Sequence, residues 1–190
     1  MKVETIEKIL NFLQNNEGKK LPKSWFDSIE KLKLIKELEN HPDDIKYRYE
    51  GDLELSETNI TKLPNDLYVV GSLNLWKCQE LTKLPNYLYV GDYLNIEGTN
   101  IEEIPNNLYV GGYLSLYGCT QITKLPNYLY VGDHLNIEGT NIEEIPNNLY
   151  VEFGLYIENT PLAKKYTNEE IYEMIKLRGG EIIGEIYKVL

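Results

Sequence analysis

A proline recurs every 20 or 21 residues through the middle of the chain. The five are Pro64, Pro85, Pro105, Pro126 and Pro146. Each lies in the same frame, which runs Leu-x-Leu or Leu-x-Ile, then Thr or Cys, then Ile/Leu-Pro-Asn-x-Leu-Tyr-Val. Residues 84–110 recur as 125–151 with a single difference, Tyr93 against His134. A period near 20 residues indicates a solenoid, in which each repeat forms one coil that stacks on the next.

The Leu-x-Leu pair of each coil predicts a short β-strand. Leu94 and Ile96 alternate with period two, so both point to one side of the strand while Asn95 points to the other. Stacked about 4.8 Å apart, such strands form a parallel sheet whose inward side chains fill a core that no single coil could bury alone. Six coils carry the pair: Leu53/Leu55, Leu73/Leu75, Leu94/Ile96, Leu114/Leu116, Leu135/Ile137 and Leu155/Ile157.

The repeat resembles the leucine-rich repeat, whose consensus has Asn or Cys a few residues after the Leu-x-Leu pair. Here that position holds Thr58, Cys78, Thr99, Cys119, Thr140 and Thr160. The short coil ending in Ile/Leu-Pro is similar to the bacterial and bacteriophage-type repeats of this family. The resemblance covers about residues 45–162, and it implies an array of parallel strands along one side of a solenoid.

One departure from the family points to a second strand in each coil. Three residues separate Val90 from Leu94, where the family has two. Leu88, Tyr89 and Val90 also alternate, and the proline in each coil disfavours helix at the residue before it. A β-solenoid with two or three flat faces is therefore the alternative architecture.

The two ends of the chain are predicted to cap the stack, whose terminal coils would otherwise expose apolar surface. The N-terminal cap is predicted as two helices, one at residues 3–15 and one that follows Pro22 and runs to about residue 39. In the C-terminal cap, Thr167 opens a capping-box helix that runs through Leu177, and residues 181–189 alternate as a final strand. The expected organisation is a helical cap at 1–44, the solenoid at 45–162 and a helix-plus-strand cap at 163–190.

The net charge of −11 lies on the predicted solenoid. Residues 51–160 hold four basic and fifteen acidic residues, a difference that accounts for the whole charge. Such an array repels the phosphate backbone of nucleic acids and attracts a basic protein surface, so we expect no direct nucleic-acid binding. No apolar stretch has the length of a membrane span. Two cysteines without a signal-peptide pattern favour a soluble, cytoplasmic protein.

Residue types that carry catalysis or bind metals are scarce. The two histidines, His41 and His134, suggest no catalytic triad. Cys78 and Cys119 occupy equivalent places two coils apart, about 10 Å, which is too far for a disulfide and typical of structural thiols. We therefore expect a protein that is not an enzyme and that has no cofactor and no metal site.

The outward strand positions form three rows along the predicted sheet, and this face is the leading candidate for binding. It mixes aromatic with acidic side chains, and Tyr and Trp are enriched at protein interfaces. The predicted partner-binding residues are Trp76, Tyr93, Asn95, Glu97, Tyr113, Tyr117, His134, Asn136, Glu138 and Tyr156. A competing surface is the tyrosine column of the Leu-Tyr-Val segments, which either packs coil on coil or binds a ligand: Tyr68, Tyr89, Tyr109, Tyr130 and Tyr150.

The favoured hypothesis is a non-catalytic module that recognises a protein partner through this acidic, aromatic face. The resemblance to bacteriophage-type repeats implies a host factor, such as a defence protein, met in the host cytoplasm. Two alternatives stay open. The acidic array could imitate nucleic acid and occupy a basic groove, or the aromatic rows could bind a carbohydrate or another small ligand. The oligomeric state stays open as well.

Overall fold

The structure, a computed structural model, describes residues 23–188 of the 190-residue chain. The helix predicted at residues 3–15 lies outside this range. The helices within it are α1 (Lys23–Glu39), α2 (Pro161–Lys165) and α3 (Asn168–Leu177). The strands are β1 (Tyr47–Tyr49), β2 (Leu53–Glu54), β3 (Asp66–Val69), β4 (Leu73–Asn74), β5 (Tyr87–Val90), β6 (Leu94–Asn95), β7 (Tyr109–Val110), β8 (Leu114–Ser115), β9 (Tyr130–Val131), β10 (Leu135–Asn136), β11 (Tyr150–Val151), β12 (Leu155–Tyr156), β13 (Glu181–Ile182) and β14 (Ile186–Tyr187).

Each coil contributes one strand to each of two parallel sheets. Sheet A contains the odd-numbered strands from β1 to β13, and sheet B contains the even-numbered strands from β2 to β14. Equivalent residues of successive coils pair in register, so that Leu94 lies opposite Leu73 on one side and Leu114 on the other. The predicted solenoid is confirmed. Its form is the β-solenoid, with a second strand in each coil at the Leu-Tyr-Val segment.

The inward residues of the coils form one continuous core. All twelve side chains of the six Leu-x-Leu pairs are fully buried. Sheet A adds residues such as Leu88 and Val90 from its own inner face. Burying one such aliphatic side chain contributes about 1.5–3 kcal/mol, and each coil obtains this burial only from its neighbours. Stability therefore depends on the stack.

The N-terminal end of the described stack is covered by α1, which begins and ends close to its predicted limits. Ile35 and Leu38 of this helix are buried in the core. Glu39, at the end of the helix, accepts hydrogen bonds from the backbone N–H and the hydroxyl of Thr61. The helix is thus attached to the first coils by both apolar and polar contacts.

The C-terminal cap contains the predicted capping box and one helix that the sequence did not predict. The Thr167 hydroxyl accepts from the Glu170 N–H, while the Glu170 carboxylate accepts from the Thr167 N–H, so α3 begins as expected. The extra helix, α2, follows directly on the last predicted coil. Its N-cap is Thr160, whose hydroxyl accepts from the Ala163 N–H, and Pro161 occupies its first turn.

The single final strand predicted over residues 181–189 is wrong. The segment forms two strands, β13 in sheet A and β14 in sheet B, and so adds a seventh strand to each sheet. Gly184 lies at the corner between them, where a Cβ atom would come within 1.4 Å of the Phe153 carbonyl oxygen. The chain lies close against the preceding coil at this corner and turns there. Strand β13 therefore ends before β14 begins.

Candidate functional site

All ten predicted partner-binding residues lie in the strands of sheet B, directly before them, or in the turns that follow them. They form three rows parallel to the solenoid axis because the strands pair in register. We call this surface the aromatic-acidic face. Its first row is Tyr93, Tyr113 and His134; its second is Asn95, Ser115, Asn136, Tyr156 and Tyr187; its third is Trp76, Glu97, Tyr117, Glu138 and Glu158.

The first row is a series of ring contacts between coils. The rings of Tyr93 and Tyr113 stack with centroids 5.4 Å apart, and Tyr113 meets His134 edge-on at 6.4 Å. Burial, reinforced by the Glu97 carboxylate, raises the pKa of Tyr93 to about 12. The Nδ1 atom of His134 contacts the Asp133 carboxylate. These contacts hold the rings in fixed positions at the surface.

The second row positions the third. The side-chain oxygen of Asn95 accepts from the Glu97 N–H at 2.9 Å, and that of Asn136 accepts from the Glu138 N–H at 2.8 Å. Ser115 is buried, and its hydroxyl donates to Glu97. Asn95 itself is only 9% exposed. The asparagines therefore turn the chain at the end of each strand, and Asn95 presents little surface of its own.

The third row combines aromatic and acidic side chains. The Trp76 ring packs under Lys77, whose Nζ lies 3.9 Å from the ring centroid. Tyr117 is 53% exposed. Burial and the like charge of Glu158 raise the pKa of Glu138, although the Asn136 side chain opposes the shift. Aromatic and acidic groups thus alternate from Trp76 to Glu138, and a second acid, Glu158, follows.

Two aromatic residues that the sequence reasoning missed complete the face at its C-terminal end. Phe153 stacks on His134 with centroids 5.7 Å apart, and Tyr187 stacks on Tyr156 at 4.5 Å. Tyr156 in turn lies 5.6 Å from His134. Phe153 replaces the Gly or Asp found before the first row in earlier coils, a break in the repeat that could have identified it.

The tyrosine column lies on sheet A and forms a regular ladder. Successive ring centroids from Tyr68 to Tyr150 are 4.1 to 5.0 Å apart, with planes within 6° of parallel. The Arg48 guanidinium closes one end of the ladder, 4.5 Å from the centroid of Tyr68. The faces of the rings contact the rings of the neighbouring coils, which supports the interpretation that these tyrosines pack coil on coil. The ladder's capacity to bind a ligand stays a prediction.

A polar groove of about 590 Å³ runs along the Pro-Asn edge of the coils. Lys83 and Lys124 line it together with the exposed acids Glu102 and Glu103, and none of its lining residues belongs to the aromatic-acidic face. The asparagines that follow the prolines lie in turns, and the Asn127 side chain also links two coils by accepting from the Asn147 N–H.

Both cysteines are free and buried. The Cys119 thiol donates to the carbonyl oxygen of Ile96 at 3.2 Å, and burial raises the pKa of Cys119 to about 11. A thiol with so high a pKa is almost entirely protonated at neutral pH, and the thiolate is the reactive form. Among residues 23–188, no group of three or more His, Cys, Asp or Glu side chains is arranged to hold a metal ion.

Comparisons with protein-family models, with curated proteins and with solved structures find no match to the chain. The relationship to leucine-rich repeats therefore stays a prediction that depends on the repeat frame. None of the helices in residues 23–188 is long and apolar enough to cross a membrane.

Proposed function

We propose that the protein is a non-catalytic interaction module that binds another protein through the aromatic-acidic face. The observation that carries the proposal is the continuous run of ring contacts across five coils, from Tyr93 to Tyr187, on in-register strands. Aromatic side chains that are already held in place lose little conformational entropy on binding, and they are typical anchors of interfaces. The carboxylates among them favour a basic partner surface.

The resemblance to bacteriophage-type leucine-rich repeats extends this proposal. It makes the partner a bacterial host protein, such as a defence protein, met in the host cytoplasm. The two buried cysteines are unpaired, which supports a reducing compartment.

Affinity capture from a bacterial lysate tests the proposal. We expect the immobilised protein to retain a defined partner, and we expect Trp76→Ala and Tyr113→Ala each to weaken the affinity for it about tenfold or more. The matched controls are Tyr87→Ala and Tyr128→Ala, since these tyrosines are 59% and 73% exposed and lie outside the face. Undiminished binding by both face variants, or equal losses in the controls, places the site elsewhere.

Nucleic-acid mimicry is a second candidate function. It is supported by the excess of fifteen acidic over four basic residues within residues 51–160. A DNA-binding partner would then bind the solenoid in the basic groove that it uses for DNA. Duplex DNA should therefore compete with the solenoid for the partner, and the amount of partner captured should fall steeply as the salt concentration rises. A partner that holds the chain and DNA at the same time contradicts mimicry and leaves the protein-interaction proposal intact.

A further inference from the structure

Four rings gather around Gly154 at the C-terminal end of the aromatic-acidic face. We call His134, Phe153, Tyr156 and Tyr187 the ring cluster. A Cβ atom on Gly154 would come within 2.6 Å of the Tyr187 ring and 3.0 Å of the His134 ring, so the glycine lets both rings approach. Phe153 is 52% exposed and Tyr187 is 37% exposed. The cluster therefore offers open aromatic surface on a fixed framework.

Two glutamates that have no lysine or arginine partner in residues 23–188 border the ring cluster. Glu138 and Glu158 occupy the same position on successive coils, and Asp133 contacts His134. Burial raises the pKa of Tyr156, and the nearby acids, including Glu138, raise it further. Within residues 23–188, neither Glu138 nor Glu158 forms an ion pair with a lysine or arginine. Their mutual repulsion costs stability in the free protein, and a bound cation would relieve it.

We propose that this end of the face binds an arginine side chain of the partner protein, with the guanidinium stacked on the ring cluster and paired with Glu138 and Glu158. The inference rests on the proposed function and names the chemistry that the partner presents. Arginine fits better than lysine, because a planar guanidinium stacks on aromatic rings and donates two parallel N–H groups to a carboxylate. A lysine ammonium is a strongly hydrated point charge.

The chain already contains the proposed arrangement once, on sheet A. The guanidinium of Arg48 lies 4.5 Å from the ring centroid of Tyr68. At the same time its Nε donates to the Glu50 carboxylate at 2.6 Å. One arginine thus contacts a half-buried ring and an acid at the same time. The ring cluster and its two glutamates present the same pair of groups with the arginine missing.

Titration of the ¹⁵N-labelled protein with the peptide acetyl-Gly-Arg-Gly-Arg-Gly-amide tests the inference. We expect the largest amide shift changes in the coils of the ring cluster, near Gly154 and Glu138. Replacing arginine by citrulline keeps the planar shape and removes the charge, and it should weaken binding about tenfold. A lysine peptide should bind more weakly than the arginine peptide. Equal binding of the citrulline or lysine peptide would overturn the inference.

Variants of the protein separate a local site from the overall negative charge. Glu138→Gln combined with Glu158→Gln should weaken the binding of the arginine peptide about tenfold, because the carboxylates that pair with the guanidinium are lost. The same double variant should raise the Tm of the free protein, because a repulsive pair is removed. Glu102→Gln combined with Glu103→Gln removes the same charge from the Pro-Asn edge and should leave peptide binding unchanged. Equal weakening by both double variants would show a response to net charge alone, which contradicts an arginine site.

The peptide titration and the lysate capture can fail separately. If the peptide does not bind while partner capture depends on Trp76 and Tyr113, the arginine inference is wrong and the proposed function stands. If the peptide binds at the ring cluster while no partner is captured through the face, the site recognises arginine and the proposed function is wrong.

Discussion

Threonine and cysteine side chains form a buried polar column along the solenoid. The Thr99 hydroxyl donates to the carbonyl oxygen of Ile96 in its own coil at 2.7 Å. The Cys119 thiol, one coil later, reaches back to the same oxygen. The repeat frame predicts that these side chains occupy equivalent positions. It does not identify their acceptors, because a contact between coils depends on how the coils stack.

Removal of one hydroxyl from the column should measurably destabilise the protein. Thr140 is buried, and its Oγ1 donates to the Ile137 carbonyl oxygen at 2.7 Å. Thr140→Val keeps the shape of the side chain and loses this hydrogen bond, so we expect the free energy of unfolding in urea to fall by about 1 kcal/mol. Thr120→Val, at an exposed position, is the control and should change it by less than about 0.5 kcal/mol. Equal effects would mean that the buried hydrogen bond contributes nothing.

Glu138 should make stability depend on pH. Its raised pKa means that the folded state holds the carboxyl proton more tightly than the unfolded state does. The cost of the ionised form is therefore absent below the unfolded-state pKa and appears as pH rises through the folded-state pKa. We expect Glu138→Gln to raise the Tm at about pH 7 and to leave it unchanged at about pH 3. Melting curves at both pH values check this, and an equal gain at low pH would contradict it.

At the scale of the strand, the corner between the two sheets is set by backbone contact between coils. A Cβ atom on Gly111 would lie 2.3 Å from the Gly91 carbonyl oxygen, and one on Gly132 would lie 2.2 Å from the Gly111 carbonyl oxygen. The turn after sheet B uses glycine differently. Gly118 has a φ of +69°, and a Cβ atom there would meet nothing within 4 Å. At the corner between the sheets, glycine is needed because there is no room for a Cβ atom. In the turn after sheet B, glycine is needed because the backbone is left-handed.

Two alanine substitutions should separate these requirements. Gly111→Ala forces neighbouring coils apart, and we expect a loss of about 3 kcal/mol in the free energy of unfolding. Gly118→Ala adds only the strain of a left-handed alanine, about 1 kcal/mol. Denaturant unfolding of both variants measures the difference. A loss at Gly118 equal to or larger than that at Gly111 would show that the coils are not in close backbone contact at this corner.

Strands that follow the repeat were predictable, as was the capping-box helix α3, but helix α2 and the bend at Gly184 were not. Alternation predicted both the Leu-x-Leu strands and the Leu-Tyr-Val strands, because burial on one side of a strand requires a period of two. The segment at residues 181–189 also alternates, yet it bends at Gly184 because Phe153 of the preceding coil lies against it. A pattern within one segment carries no information about a neighbour that forces it to turn.

At the scale of the whole molecule, the aromatic-acidic face was predictable where the stacking is regular. Its three rows follow from the repeat period, and the structure brings all ten predicted residues onto one side. The ring cluster does not follow from the period, since Tyr156 and Tyr187 are 31 residues apart in sequence while their rings stack at 4.5 Å. Helices α2 and α3 replace the ordinary return of the chain between them. Contact across an irregular insertion cannot be inferred from the spacing of the repeats.

A solenoid held together by contacts between neighbouring coils should tolerate the loss of whole repeat units. Deletion of residues 84–124 removes 41 residues and joins Lys83 to Leu125, which restores the native Lys-Leu-Pro junction. Each remaining coil still meets an equivalent neighbour, so we expect a folded protein with cooperative unfolding, a lower free energy of unfolding and a smaller denaturant m-value.

Deletion of residues 84–114 is the out-of-phase control, since its 31 residues shift the frame by half a coil and put outward side chains into the core. We expect this variant to be unfolded by circular dichroism and by the dispersion of its NMR spectrum. If both deletions fold equally well, register between coils does not determine the structure. If both unfold, the coils do not act as interchangeable neighbours, and the stability of the stack depends on features outside the repeat.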